Sequence, residues 1–83
     1  MIESIRYVLI TKGDGSPRDL GRIIRDPEKG LWGEILDKNG WQEDKIALEA
    51  LWDPGFADII SEEEAKSVAE ILGLKLLDGP GSK

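Results

Sequence analysis

The sequence contains neither cysteine nor histidine. The first absence excludes a disulfide scaffold, thiol catalysis and any zinc site built on thiolates. The second removes the histidine general base and the imidazole metal ligand. Long apolar runs are missing too. The longest strongly apolar stretch is Tyr7-Val8-Leu9-Ile10, whereas a membrane span needs about 20 such residues. The opening Met1-Ile2-Glu3-Ser4 has neither the basic start nor the apolar run of a signal peptide. Together with the lack of cysteine, this points to a cytoplasmic address. Basic residues are outnumbered, 11 against 17 acids, giving a net charge of −6.

What is present is enough for one small domain. The 83 residues are 40% apolar and 34% charged, a globular composition with a heavily charged surface. We read residues 1–77 as a single domain and 78–83 as a flexible tail. A compact chain of this length has a radius of gyration of roughly 12 Å and a thin core.

The acidic excess is local. Residues 1–30 carry six basic and five acidic groups, residues 31–70 carry three and eleven, and residues 71–83 carry two and one. A stretch of net −8 therefore lies between two ends of net +1 each. Phosphate backbones attract clustered Lys and Arg, so this distribution disfavours direct nucleic-acid binding. It favours a protein partner with a basic surface.

Periodicity predicts an α+β fold: a small antiparallel sheet of three to four strands packed against a C-terminal helix. Residues 3–11 alternate, with Ile5, Tyr7 and Leu9 on one face and Val8 and Ile10 on the other. That pattern suits a strand covered on both sides. Residues 20–25 and 31–36 read as a hairpin around Asp26-Pro27-Glu28-Lys29-Gly30. Gly33 weakens the strand and marks either a bulge or a place where a neighbouring side chain lies across it. Residues 45–52 have helical composition, with Asp44 as cap and Leu48, Leu51 and Trp52 at helical spacing. Ile46, Leu48, Ala50 and Trp52 also alternate, so a strand stays open there. Residues 62–72 are the clearest helix. Ser61 and Glu64 form a capping box, Ala65, Val68, Ala69 and Leu72 form an apolar stripe, and Gly73 stops the helix. Leu74 to Leu77 reads as a short final strand.

Motifs for chemistry are weak. Lys12-Gly13-Asp14-Gly15-Ser16 has glycines but not the spacing of a phosphate-binding loop. Counted from Asp37, an EF-hand would need a glycine at Gln42 and a glutamate at Leu48. Glu62, Glu63 and Glu64 are accounted for by the helix start, where acids complement the positive end. The five serines and Thr11 have no histidine to activate them. No catalytic residue, cofactor or metal site is therefore assigned.

Tryptophan is the more informative signal. Trp32 sits mid-strand and reads as core. Trp41 and Trp52 are ringed by charge, a setting common to interface anchors, with core or rim packing as the competing reading for both. The expected function is a non-catalytic protein-interaction module using the acidic 31–70 segment. Its partner-binding residues are Trp41, Trp52, Glu43, Asp44, Glu49 and Asp53. A small-molecule or anion site in the Gly13–Arg25 region, which holds Arg18, Arg22 and Arg25, is the alternative. A carboxylate-based hydrolase is the less favoured third reading. Arg22 and Arg25 should face opposite ways, with pairing to Glu34 or Asp37 across the hairpin. A thin core and an open sheet edge also leave homodimerisation open.

Overall fold

Alternating apolar positions let one sheet bury both of its faces, and the chain is built on that arrangement. The computed structural model describes residues 2–76. Its strands are β1 (Ser4–Thr11), β2 (Pro17–Asp26), β3 (Gly30–Asp37), β4 (Gly40–Glu43) and β5 (Ala57–Ile60). A 3-10 helix spans Lys45–Leu51 and the helix α1 spans Glu62–Leu72. The sheet is antiparallel throughout, in the order β4-β3-β2-β1-β5. The radius of gyration over Cα atoms is 11.8 Å, close to that of a compact chain of this length.

The fold is α+β as expected, but the sheet has five strands rather than three to four. Both additional strands are short. β4 follows the Asp37-Lys38-Asn39-Gly40 turn, where Asp37 Oδ1 accepts from the Asn39 amide at 2.7 Å and Gly40 takes a φ of 106°. β5 pairs Tyr7 with Ile60, Val8 with Ile59 and Leu9 with Asp58. Neither strand carries a full alternating pattern of its own, so their pairing partners hold them in place. Leu74 to Leu76 do not form the expected strand, and Leu77 and the predicted tail 78–83 lie outside the described residues.

One face of the sheet packs on α1. Leu20, Leu36 and Trp41 meet Ala65, Val68 and Ala69, with Tyr7, Leu9 and Ile60 around them. The helix start matches its sequence signature. Ser61 Oγ accepts from the Glu64 amide and Glu64 Oε1 accepts from the Ser61 amide, each at 3.1 Å. At the other end Gly73 is left-handed, and the Leu74 amide donates to the Ala69 carbonyl at 2.8 Å.

The opposite face packs on the 3-10 helix. Val8, Ile10, Ile23 and Ala57 form its buried centre, flanked by Ile35, Ile46, Leu48, Ala50 and Phe56. Asp44 caps this helix by accepting from the Ile46 amide at 3.0 Å. The helical reading of 45–52 holds, but in the tighter 3-10 form, in which residues three apart align. Ala47, not the Leu48/Leu51/Trp52 stripe, is its fully buried position. Ala47 comes down on Gly21 and Gly33. A Cβ added at Gly33 would lie 2.8 Å from the Asp44 carbonyl oxygen and 2.9 Å from the Ala47 Cβ. Gly33 is thus required for close approach rather than for turning.

Candidate functional site

The residues singled out from the sequence separate into buried and exposed sets. Trp41, named among the partner-binding residues, is only 1% exposed, which corrects that assignment and matches the core reading. β4 carries it onto the α1 side of the sheet, opposite Leu36 in register, where the helix covers it. A side chain so enclosed is core and offers no contact to a partner. Trp52 is the reverse case. It follows the last residue of the 3-10 helix and is 62% exposed. Its indole Nε1 donates to Glu49 Oε1 at 2.9 Å, which fixes the ring against the helix end.

Of the four acids grouped with the tryptophans, Glu43, Asp44 and Asp53 are exposed and Glu49 is half-buried. Asp44 and Trp52 bracket the two ends of the 3-10 helix. Among these residues the side chains of Asp44 and Glu49 already serve local structure, as cap and as indole acceptor. The surface formed is acidic, with one large aromatic group held in place.

The arginines of the Gly13–Arg25 region do not converge. Arg22 and Arg25 face opposite sides of the sheet, as expected from strand alternation. Arg22 is fully buried and pairs across the hairpin with Glu34, also fully buried. Its Nε donates to Glu34 Oε1 at 2.8 Å, and Nη2 lies 2.7 Å from the same oxygen as an ion-pair contact. Glu34 Oε2 accepts from Trp32 Nε1 at 3.1 Å. The Trp41 ring covers the guanidinium, 4.1 Å from centroid to Cζ. Arg18 contacts Asp19 at 3.0 Å and Arg25 contacts Glu3 at 3.4 Å, both on the surface. The loop before them is closed by its own side chains. Asp14 Oδ1 accepts from the Ser16 amide at 2.9 Å and from the Ser16 hydroxyl at 2.6 Å.

Carboxylates of a hydrolytic site need a cleft and a raised pKa. Asp14 is held below the usual carboxylate range by the Ser16 hydroxyl and amide. Asp26 is held low by the Glu28 and Lys29 amides at the hairpin turn. Both shifts are turn chemistry in the direction opposite to that of a general acid. Among the described residues no group of three acidic side chains stands close enough to hold a metal ion. No helix among them is long and apolar enough to cross a membrane.

No protein-family model matches the chain, and no curated protein and no solved structure matches it. The functional reading therefore rests on the surface itself. Exposed apolar side chains stand out there: Leu31, Leu51, Trp52, Ile59 and Ile71. Composition did not separate these from core residues. Ile71 reads from the sequence as widening the Ala65/Val68/Ala69/Leu72 stripe, yet it is 67% exposed. For Leu31 and Leu51 only the ends of the sheet and of the 3-10 helix decide exposure.

Proposed function

We propose that the protein is a non-catalytic interaction module whose acidic surface around the 3-10 helix docks a partner protein with a basic patch. Trp52 is the anchor, and Glu43, Asp44, Glu49 and Asp53 supply the surrounding charge. The observation that carries this reading is the exposure of Trp52 with its indole pinned by Glu49. An exposed tryptophan whose orientation is already fixed loses little further freedom on binding. Tryptophan is also among the residues that most often dominate interface energetics. The excess of acid in the 31–70 segment adds steering toward a cationic surface.

The test is affinity capture from the source cell with the unchanged protein, Trp52→Ala and the double change Glu43→Gln/Glu49→Gln. A partner with a basic surface should be retained by the first, lost with Trp52→Ala, and released by salt more readily from the double variant. Equal retention of every partner by Trp52→Ala would remove the anchor and with it this reading.

A further inference from the structure

The sheet face that carries the 3-10 helix is not covered to its end. Beyond Leu51 the face opens into a shallow cleft of about 200 Å³ lined by Ser4, Arg6, Ile23, Arg25, Leu31 and Leu51. Register explains who meets there. Arg6 is opposite Ile23, Ser4 is opposite Arg25, and Arg25 is opposite Leu31. Arg6 and Arg25 are therefore diagonal neighbours on one face of β1 and β2, a placement that sets side chains about 7–8 Å apart. Both are exposed. Arg6 has no ion pair among the described residues, and the Arg25 contact to Glu3 is long and exposed at 3.4 Å. Two neighbouring guanidiniums repel one another. In a chain with 17 acids and only 11 bases, this pair stands beside an apolar floor.

We propose that this cleft docks an acidic, amphipathic peptide segment of a partner protein. An aliphatic side chain would rest on Ile23, Leu31 and Leu51, and flanking carboxylates would pair with Arg6 and Arg25. Charge complementarity selects the sign of the occupant. Size selects a segment over a small molecule. The cleft falls below the roughly 300–1,000 Å³ of small-molecule sites. The apolar surface also continues outside it, with Leu31 49% and Leu51 48% exposed. Arginine suits the role because its planar fork binds a carboxylate through two parallel hydrogen bonds. This surface is opposite in charge to the one around Trp52 and does not depend on the reading given to that one.

Fluorescence anisotropy tests the proposal with two short fluorescein-labelled peptides, one alternating leucine and glutamate and one alternating leucine and lysine. The glutamate peptide should bind the unchanged protein and weaken with salt. Arg6→Glu/Arg25→Glu should reduce affinity by at least about tenfold, two exposed charge pairs being reversed. Leu31→Ser should reduce it severalfold, and Lys66→Glu on α1 should leave it unchanged. Thermal melts check that the variants stay folded. Arg6→Ser, at an exposed position with no ion pair among the described residues, serves if the double reversal does not. Equal binding of the two peptides, or no loss in the arginine variants, would overturn the proposal. Displacement of the peptide by benzoate at matching concentration would overturn it in favour of a small organic anion. A dimer seen by light scattering and abolished by the arginine changes would overturn it in favour of a second copy of the chain.

Discussion

The guanidinium of Arg22 lies under the indole of Trp41, with Cζ 4.1 Å from the ring centroid, and both residues are shut away from solvent. The contact reaches across β3, which lies between β2 and β4 in the sheet. Arg22 is on β2, Glu34 opposite it is on β3, and Trp41 reaches over from β4. Tyr7, opposite Arg22 on β1, completes the group, its ring 6.3 Å from Trp41. A charge is thus embedded in the α1 side of the core, neutralised by one carboxylate and capped by one aromatic face.

Removing half of that pair should be far worse than removing all of it. Glu34→Ala leaves an uncompensated buried guanidinium and should cost about 3–5 kcal/mol. Arg22→Met combined with Glu34→Leu should recover most of that loss, since desolvation of both ions disappears with them. Urea titration of the two variants against the parent measures both effects. Equal destabilisation by single and double changes would show that the pair is not the source.

Trp41 and Trp52 should behave as opposites. Trp41→Ala should destabilise by about 3–5 kcal/mol, because it empties the centre of the α1-side core. Trp52→Ala should shift stability by no more than about 0.5 kcal/mol, as for other exposed positions. Acrylamide quenching should fall sharply in Trp52→Ala and scarcely change where Trp41 alone is replaced. A neutral quencher suits the acidic surroundings of Trp52.

Glycines 33 and 13 offer a matched pair. Gly33→Ala should cost about 2 kcal/mol, because the new Cβ meets the backbone oxygen of Asp44 and the Ala47 methyl. The 3-10 helix must lift to make room. At Gly13 nothing lies within 4 Å of the added Cβ, so Gly13→Ala should be close to neutral. Paired melting curves check the contrast.

Acid should weaken the hairpin through Asp26. Its carboxylate is stabilised in the folded state by the Glu28 and Lys29 amides, so its folded pKa lies below the ordinary 3.8. That contribution is complete above 3.8 and disappears as pH falls through the folded value. The stability gap between the parent and Asp26→Ala should therefore be constant near neutrality and narrow below 3.8. Denaturant midpoints across that range give the comparison. A gap that widens with acid would contradict the assignment.

The elements that could be read from the chain are those with a local physical cause. Ser61, Glu64 and Gly73 define α1 because caps act within a few residues. Asp26-Pro27 and Gly30 define the hairpin because turn chemistry is local. Val8 and Ile10 opposite Tyr7 and Leu9 fit a strand covered on both sides, while Gly33 leaves a bulge and a close neighbour both open until the tertiary structure sets Ala47 on it. The pairing of Arg22 with Glu34 follows from the hairpin register, once the turn is known.

The remainder depends on contacts between distant parts of the chain. β4 and β5 are too short to declare themselves, and only pairing with β3 and β1 makes them strands. The two tryptophans flanked by acids look alike in sequence, yet one is core and the other exposed. Trp41 is buried because its ring reaches from β4 toward Arg22 on β2 and Tyr7 on β1, the strands on which α1, more than 20 residues later in sequence, packs. Trp52 is exposed because the 3-10 helix ends at Leu51 and the chain turns away through Asp53-Pro54 toward β5. The juxtaposition of Arg6 and Arg25 likewise follows from strand register, which a list of residues does not contain. Local propensity settled the hairpin turn, the caps and the alternating faces of β1. Burial, a property of what packs on top, was settled only when the sheet, α1 and the 3-10 helix came together.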